Sequence, residues 1–160
     1  MKDYSENAEA FALLHGIHLN GQLGAGLNGT VWAVTGKRDD WEWALKIQDY
    51  RGHRQERAVY ERLREHDVTE IAGFNVPYLL RADDAWNAIE MSIVERPFVL
   101  DFAQAYLDFR PDFPDEVWEE RRDTWMSRYE DDWPRVAQAL DALECLGIYY
   151  LDVHGNNIAV

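Results

Sequence analysis

Two runs of strand-forming residues lie so close together that their pairing is nearly forced. Thr30-Val31-Trp32-Ala33-Val34 is β-branched and aromatic, and Trp41-Glu42-Trp43-Ala44-Leu45-Lys46-Ile47 is similar. Between them stands Gly36-Lys37-Arg38-Asp39-Asp40, a turn composition. Connections this short join antiparallel neighbours. Ile17-His18-Leu19 with Leu23 adds a strand upstream, so residues 17–47 read as a three-stranded meander. A short helix over residues 7–14 precedes it. Residues 51–65 carry helical spacing, with Ala58, Val59 and Leu63 on an apolar side. Asn75-Val76-Pro77 breaks that pattern, and residues 78–82 and 88–94 follow as two more strands joined near Asp83-Asp84.

After Pro97 the pattern turns helical. Trp118, Arg122, Trp125 and Tyr129 recur on one helix face. Asp132-Trp133-Pro134 starts a second helix, with Asp132 as N-cap and Val136, Leu140, Leu143 and Leu146 buried. Gly147 suits its C-terminal end. The expected architecture is therefore α+β in two parts. Residues 1–96 hold a five-stranded antiparallel sheet plus one helix between strands three and four. Residues 97–160 form a small helical part.

The charge balance excludes some functions. Sixteen Lys and Arg face thirty Asp and Glu, for a net charge of −14. Such a surface repels phosphate backbones and anionic lipid, so neither nucleic acid nor membrane is expected as a partner. Any nucleotide site must build its own local positive field. One cysteine, Cys145, cannot form an internal disulfide. The start is polar and no apolar run reaches membrane-spanning length, so a cytoplasmic location is the expectation.

Four segments carry candidate chemistry. Gly24-Ala25-Gly26-Leu27-Asn28-Gly29-Thr30-Val31 has the G-x-G-x-x-G spacing of a dinucleotide-binding turn, but a strand follows rather than a helix. The glycines then sit at a hairpin tip, where backbone N–H groups can approach a triphosphate without Cβ clashes. In Trp43-Ala44-Leu45-Lys46, alternation puts Ala44 and Lys46 on one strand face. A lysine there either snorkels to water or needs an anionic partner. Glu56 and Glu61 of the next helix are the candidates. Glu56 shares a face with Tyr60, while Glu61 points about 140° away, so Glu56 is preferred. In Leu151-Asp152-Val153-His154-Gly155-Asn156-Asn157-Ile158, Asp152 can take a proton from an attacking hydroxyl and Asn157 can ligate Mg²⁺ through its amide oxygen.

In this order the four segments resemble the signature set of the protein-kinase fold. The resemblance implies an ATP-binding domain in which Val31 and Ala44 pack on adenine. Gly24, Gly26 and Gly29 cover the phosphates, and Lys46 holds them with Glu56 orienting it. The backbone of residues 94–97, Glu95 included, would be the hinge. Asp152 would be catalytic and Asn157 a Mg²⁺ ligand. The departures are specific. His-Arg-Asp reads Tyr150-Leu151-Asp152, and His154 stands where many protein kinases carry Lys. The Asp-x-His-x-x-Asn run looks like aminoglycoside- and choline-type phosphotransferases. Pro97 offers no N–H to adenine. Three residues follow Asn157, whereas the resembled family carries its metal-binding Asp-Phe-Gly about a dozen residues beyond that Asn. The expectation is a reduced or truncated kinase-like domain with phosphotransfer impaired for want of a charged metal ligand. The alternatives are a pseudokinase used as an interaction module and a part of a small-molecule phosphotransferase. A protein partner would then cover the surface left by the missing lobe.

Overall fold

In the computed structural model, which describes residues 3–26, 28–38 and 40–160, the strand runs pair as their short connections require. Met1, Lys2, Leu27 of the Gly-rich turn and Asp39 of the second turn lie outside those residues. Helix α1 (Ser5–His15) is followed by β1 (Ile17–Ala25), β2 (Gly29–Gly36) and β3 (Glu42–Gln48). Helix α2 (Tyr50–Glu65) comes next, then the two-residue strands β4 (Glu70–Ile71) and β5 (Phe74–Asn75). Strands β6 (Leu79–Asp83) and β7 (Ala88–Met91) complete a five-stranded sheet of order β1-β2-β3-β7-β6, antiparallel throughout.

Register decides what each face of that sheet can do. Val31 pairs with Lys46 and Lys46 with Ile89, while Ala44 pairs with Met91. Residues directly opposite share a face, so Val31, Ala44, Lys46, Ile89 and Met91 line one side. Helix α2 covers that side with Val59, Tyr60 and Leu63. The other face presents Trp32, Val34, Leu45, Ile47 and Ala88, and α1 covers it with Tyr4, Ala8 and Phe11. Sequence reasoning foresaw a helix over residues 7–14 but no role for it. It runs longer, Ser5–His15, and ends on Gly16, whose φ of +67° is the left-handed conformation of a helix C-cap.

The remaining elements are β8 (Phe98–Val99), β9 (Tyr106–Leu107), α3 (Asp115–Tyr129), a 3-10 turn (Glu130–Asp132), α4 (Trp133–Cys145), β10 (Ile148–Tyr149) and β11 (Ile158–Ala159). Val136, Ala139, Leu140 and Leu143 of α4 join the same apolar cluster as α2 and the sheet. The core thus runs across the change of element type at residue 97. Helix α3 is mostly exposed. Of its expected face Tyr129 is buried, Trp118 and Trp125 are half-buried, and Arg122 is exposed. The Tyr129 hydroxyl donates to the Ile158 carbonyl at 2.9 Å, which ties α3 to the last strand. A second sheet of order β11-β8-β5-β4 joins strands of two residues each, with β8 antiparallel to β11 and parallel to β5. Among the described residues no helix is long and apolar enough to cross a membrane.

The β6–β7 turn is clamped to α2 through Asp84. Its carboxylate accepts from Arg57 Nη1 at 2.6 Å and meets His53 Nε2 at 2.8 Å. The Arg57 hydrogen bond first, then His53, lowers the Asp84 pKa from 3.8 to about 2. A carboxyl depressed on folding stabilises fully above its unfolded pKa and loses that contribution as pH falls through the folded value. The Asp84→Asn variant should therefore melt below the wild type at pH 7, with the gap closing from about pH 4 downward and gone only below about pH 2. A melting-temperature difference independent of pH would contradict this.

Candidate functional site

Lys46 is 4 % exposed and Glu56 is fully buried. Lys46 Nζ lies 2.7 Å from Glu56 Oε2 and 3.0 Å from Asp101 Oδ1, so one ammonium serves two carboxylates. Burial acts to lower the Lys46 pKa, but Glu56 and Asp101 outweigh it and hold it above the ordinary lysine value. Burial pushes the Glu56 carboxyl upward, and Lys46 pulls against that rise. Glu61, the other candidate from the sequence, pairs instead with Arg57 at 2.8 Å on the outer side of α2.

Asp101 escaped sequence reasoning. Its backbone has a φ of +62°, a left-handed conformation uncommon for a residue with a side chain. That conformation turns its carboxylate onto Lys46, and Oδ1 also accepts from the Ala103 N–H at 3.4 Å. Oδ2 takes no hydrogen bond among the described residues, and the side chain is 31 % exposed. The next residue, Phe102, donates its N–H to Glu56 Oε1 at 3.3 Å. Its ring packs edge-on between Tyr60 and Tyr150, with centroids 5.2 Å and 5.4 Å away. The sequence carries little signal for it, since nothing in the spacing of Asp101 ties it to a lysine on a distant strand.

The loop after β10 is tied to that same segment. Leu100 donates its N–H to the Asn157 carbonyl at 2.9 Å, and the Tyr150 hydroxyl donates to the Leu100 carbonyl at 2.7 Å. Asn157 Nδ2 donates to Asp152 Oδ2 at 3.0 Å and to the Asp152 carbonyl at 3.1 Å. This fixes the loop's width and leaves the Asn157 amide oxygen without a hydrogen bond among the described residues. His154 Nε2 stands 3.4 Å from Asp152 Oδ1. Asp101 and Asp152 both act on the Tyr150 hydroxyl, whose pKa lies well above the usual tyrosine value, through burial first and then these charges.

The glycines of the hairpin differ from one another. A Cβ on Gly29 would sit 2.6 Å from the Ile47 carbonyl oxygen and 2.6 Å from Gln48 Cβ, so packing against β3 demands glycine there. Gly24 and Gly26 have nothing within 4 Å of such an atom, so packing makes no such demand. A cavity of about 480 Å³ is lined by Asn28 of the hairpin, Asp49, Arg51, Gly52 and Gln55 at the start of α2, Ala103 and Gln104, and Asp152. Phe113 and Arg121 line it as well. Of the expected site residues Asp152 alone lines it: Gly24, Gly26, Gly29, Val31, Ala44, Lys46, Glu56, Glu95 and Asn157 do not, nor does Asp101. Of the expected hinge, the Glu95 carbonyl accepts from Asn75 Nδ2 at 2.9 Å, and residues 92–96 form no regular element.

The structure thus brings Lys46 and Glu56 together, and Asp152 and Asn157 together. It also joins the two pairs through Leu100, Asp101 and Phe102, a link the sequence reading lacked. No protein-family model and no curated protein matches the chain.

Two expectations follow from this geometry. Gly29→Ala should cost about 1–3 kcal/mol through overpacking, while Gly24→Ala and Gly26→Ala should stay within about 0.5 kcal/mol of wild type. Urea unfolding of the three variants checks this, and an equal loss in all three would contradict it. Lys46→Met should cost about 3–5 kcal/mol, because it leaves buried Glu56 without its cation. Adding Glu56→Leu should restore most of that loss, since apolar residues of similar volume can replace a buried pair. A double variant as unstable as the single one would show that the pair's geometry is not what holds α2 on the sheet.

Proposed function

We propose that the chain is a kinase-like domain that binds a nucleoside triphosphate, ATP by the resemblance, with the phosphates between the Gly-rich hairpin and the Asp152 loop. One observation carries this reading. A single cavity is lined both by Asn28 at the hairpin tip and by Asp152 of the loop, and Asp152 is joined to Lys46 through Asn157, Leu100 and Asp101, which do not themselves line it. Phosphoryl transfer needs little covalent chemistry from protein; it needs positioned cations and an oriented acceptor. Lys46 supplies a fixed charge, and Glu56 holds its direction. Asp152, one-third exposed, would accept the proton of an acceptor hydroxyl.

Mg²⁺ fits the donors present. Asp101 Oδ2 and the Asn157 amide oxygen are hard oxygen donors with no hydrogen bond among the described residues. In those residues no group of three or more His, Cys, Asp or Glu is arranged to hold a metal alone. Magnesium does not need one, because it is bound through one or two carboxylates together with substrate phosphates. When bound, it would neutralise charge on the transferring group. The sequence reading expected transfer to be impaired because no carboxylate follows Asn157. Asp101 removes that ground, since a carboxylate reaches Lys46 from the other direction.

A second reading, a pseudokinase used as an interaction surface, is favoured by the closure of Lys46 under Asp101. Phosphate reaches the ammonium only when that contact loosens. ATP with Mg²⁺ at about a hundredfold excess over Kd should raise stability by about 2.7 kcal/mol in thermal unfolding. Asp152→Asn should keep that stabilisation and lose at least about a hundredfold in single-turnover transfer from γ-labelled ATP to a hydroxyl acceptor. Stabilisation without turnover in the wild type would leave nucleotide binding standing with phosphotransfer impaired. No stabilisation by any nucleotide would remove the nucleotide-binding reading and select the second.

A further inference from the structure

Two arginines, Arg51 and Arg121, line the cavity that Asp152 lines. Among the described residues neither forms an ion pair, although the chain carries a net charge of −14. Arg121 stands on α3, which also bears Asp115, Glu116, Glu119, Glu120 and Asp123. A helical charge is neutralised from three or four positions away. For Arg121 those positions hold Val117, Trp118, Thr124 and Trp125, so none of these acids has the spacing to pair with it. Its Nε is buried and has no hydrogen-bond partner among the described residues. A buried donor without an acceptor carries its desolvation cost uncompensated, and such a group in a folded protein calls for a cause.

Aromatic packing holds this guanidinium without occupying its donors. Its Cζ lies 5.1 Å from the Phe113 ring centroid, Phe113 packs on Trp118 at 5.5 Å, and Arg110 lies 4.3 Å over Trp118. The five N–H groups of an arginine form a fork that matches a phosphate or a carboxylate. Helix α3 also fixes Arg121 relative to Asp152. Arg128 donates to the Val153 carbonyl and the Tyr129 hydroxyl to the Ile158 carbonyl, which ties the helix to the Asp152 loop and to the strand after it. Arg121 stands two turns before Arg128 on the same helix face, roughly 10 Å along the axis. Arg51 comes from the first turn of α2, where the helix dipole opposes a cation and no acidic residue of that turn offsets it. The carboxylates on the cavity are already engaged: Asp49 Oδ1 accepts from the Gly52 N–H at 2.8 Å, and Asp152 Oδ2 from Asn157 Nδ2 at 3.0 Å. At about 480 Å³ the cavity has the size of a small-molecule site.

We propose that this cavity takes a small hydroxylated molecule bearing an oxyanion, with the oxyanion on Arg121, Arg51 adding positive charge, and the hydroxyl at Asp152. The binding itself needs no nucleotide. The molecule's role as acceptor rests on the nucleotide reading above. In that role its hydroxyl oxygen bonds to the γ-phosphorus, the bond to the β–γ bridging oxygen breaks, ADP leaves, and the proton goes to Asp152.

The test titrates glycerol 3-phosphate, glycerate and glycerol into the full chain, followed by the arginine Nε–H signals in nitrogen-15 NMR. At least one of the two anions should bind about tenfold or more tighter than glycerol, which has hydroxyls and no charge, and the tighter of the two names the oxyanion as phosphate or carboxylate. The Arg121 Nε–H signal should move as that anion saturates. In Arg121→Gln the preference for the anion over glycerol should vanish. Equal binding of all three probes by the wild type overturns the proposal, and so does an undiminished preference in Arg121→Gln. Should that variant not fold, the wild-type signal decides, since an anion that binds without moving Arg121 Nε–H overturns the proposal too. The titration is then repeated with a non-hydrolysable ATP analogue and Mg²⁺ at saturation, and the anion should bind with little change in affinity. Competition would assign Arg121 to the nucleotide's own phosphates, which overturns the acceptor and leaves the nucleotide reading standing. An analogue that does not bind removes the nucleotide reading and the acceptor role, while the anion preference through Arg121 upholds the site.

Discussion

Removing a lysine ammonium from water costs several kcal/mol, and Lys46 is almost wholly removed. That cost is tolerable only with anionic oxygens at hydrogen-bond distance on more than one side. Strand β3 brings the ammonium, α2 brings Glu56, and residues 100–102 bring Asp101. The first two are consecutive in the chain, and the third is remote from both. The demand of one cation therefore sets the placement of a helix and the path of a loop together. It also explains the division of labour on α2. Glu56 points in to Lys46, while Arg57, one residue on, points out to Glu61 and Asp84.

Local rules explain why half of this is legible from residues alone. The turn after Val34 is too short for anything but an antiparallel partner, and alternation along Trp43–Ile47 assigns Lys46 to the face of Ala44. The three-to-four spacing of α2 then puts Glu56 with Tyr60 on the side facing that strand. Each inference uses neighbours within one or two elements. The role of α1 is different. Phe11 and Ala8 need Trp32 and Val34 opposite them, and only the folded sheet shows that this face is free to receive a helix.

The short strands of the second sheet lie beyond periodicity altogether. Two residues cannot display a repeat, and Phe98–Val99 is a strand only because Ile158–Ala159 and Asn75 lie beside it. Asp101 was hidden for a related reason. Its contact with Lys46 depends on a positive φ and on a lysine 55 positions earlier, neither of which composition reveals. The glycines show the same limit at smaller scale. Gly24, Gly26 and Gly29 look equivalent in the sequence, yet only Gly29 is pressed against the backbone of β3.

The pairing of β8 with β11 has a consequence for how the protein comes into being on the ribosome. Residues 98–99 emerge early, but the strand that holds them, Ile158–Ala159, is sixty positions later in the chain. The Leu100 N–H likewise waits for the Asn157 carbonyl, and its carbonyl waits for the Tyr150 hydroxyl. A nascent chain can build its five-stranded sheet and both covering helices well before this. Asp101 then has Lys46 but no grip from the loop side. The junction of residues 98–102 with the loop that bears Asp152 is assembled after the sheet, so a nascent chain passes through a state in which the sheet is folded and Asp101 is held from one side alone.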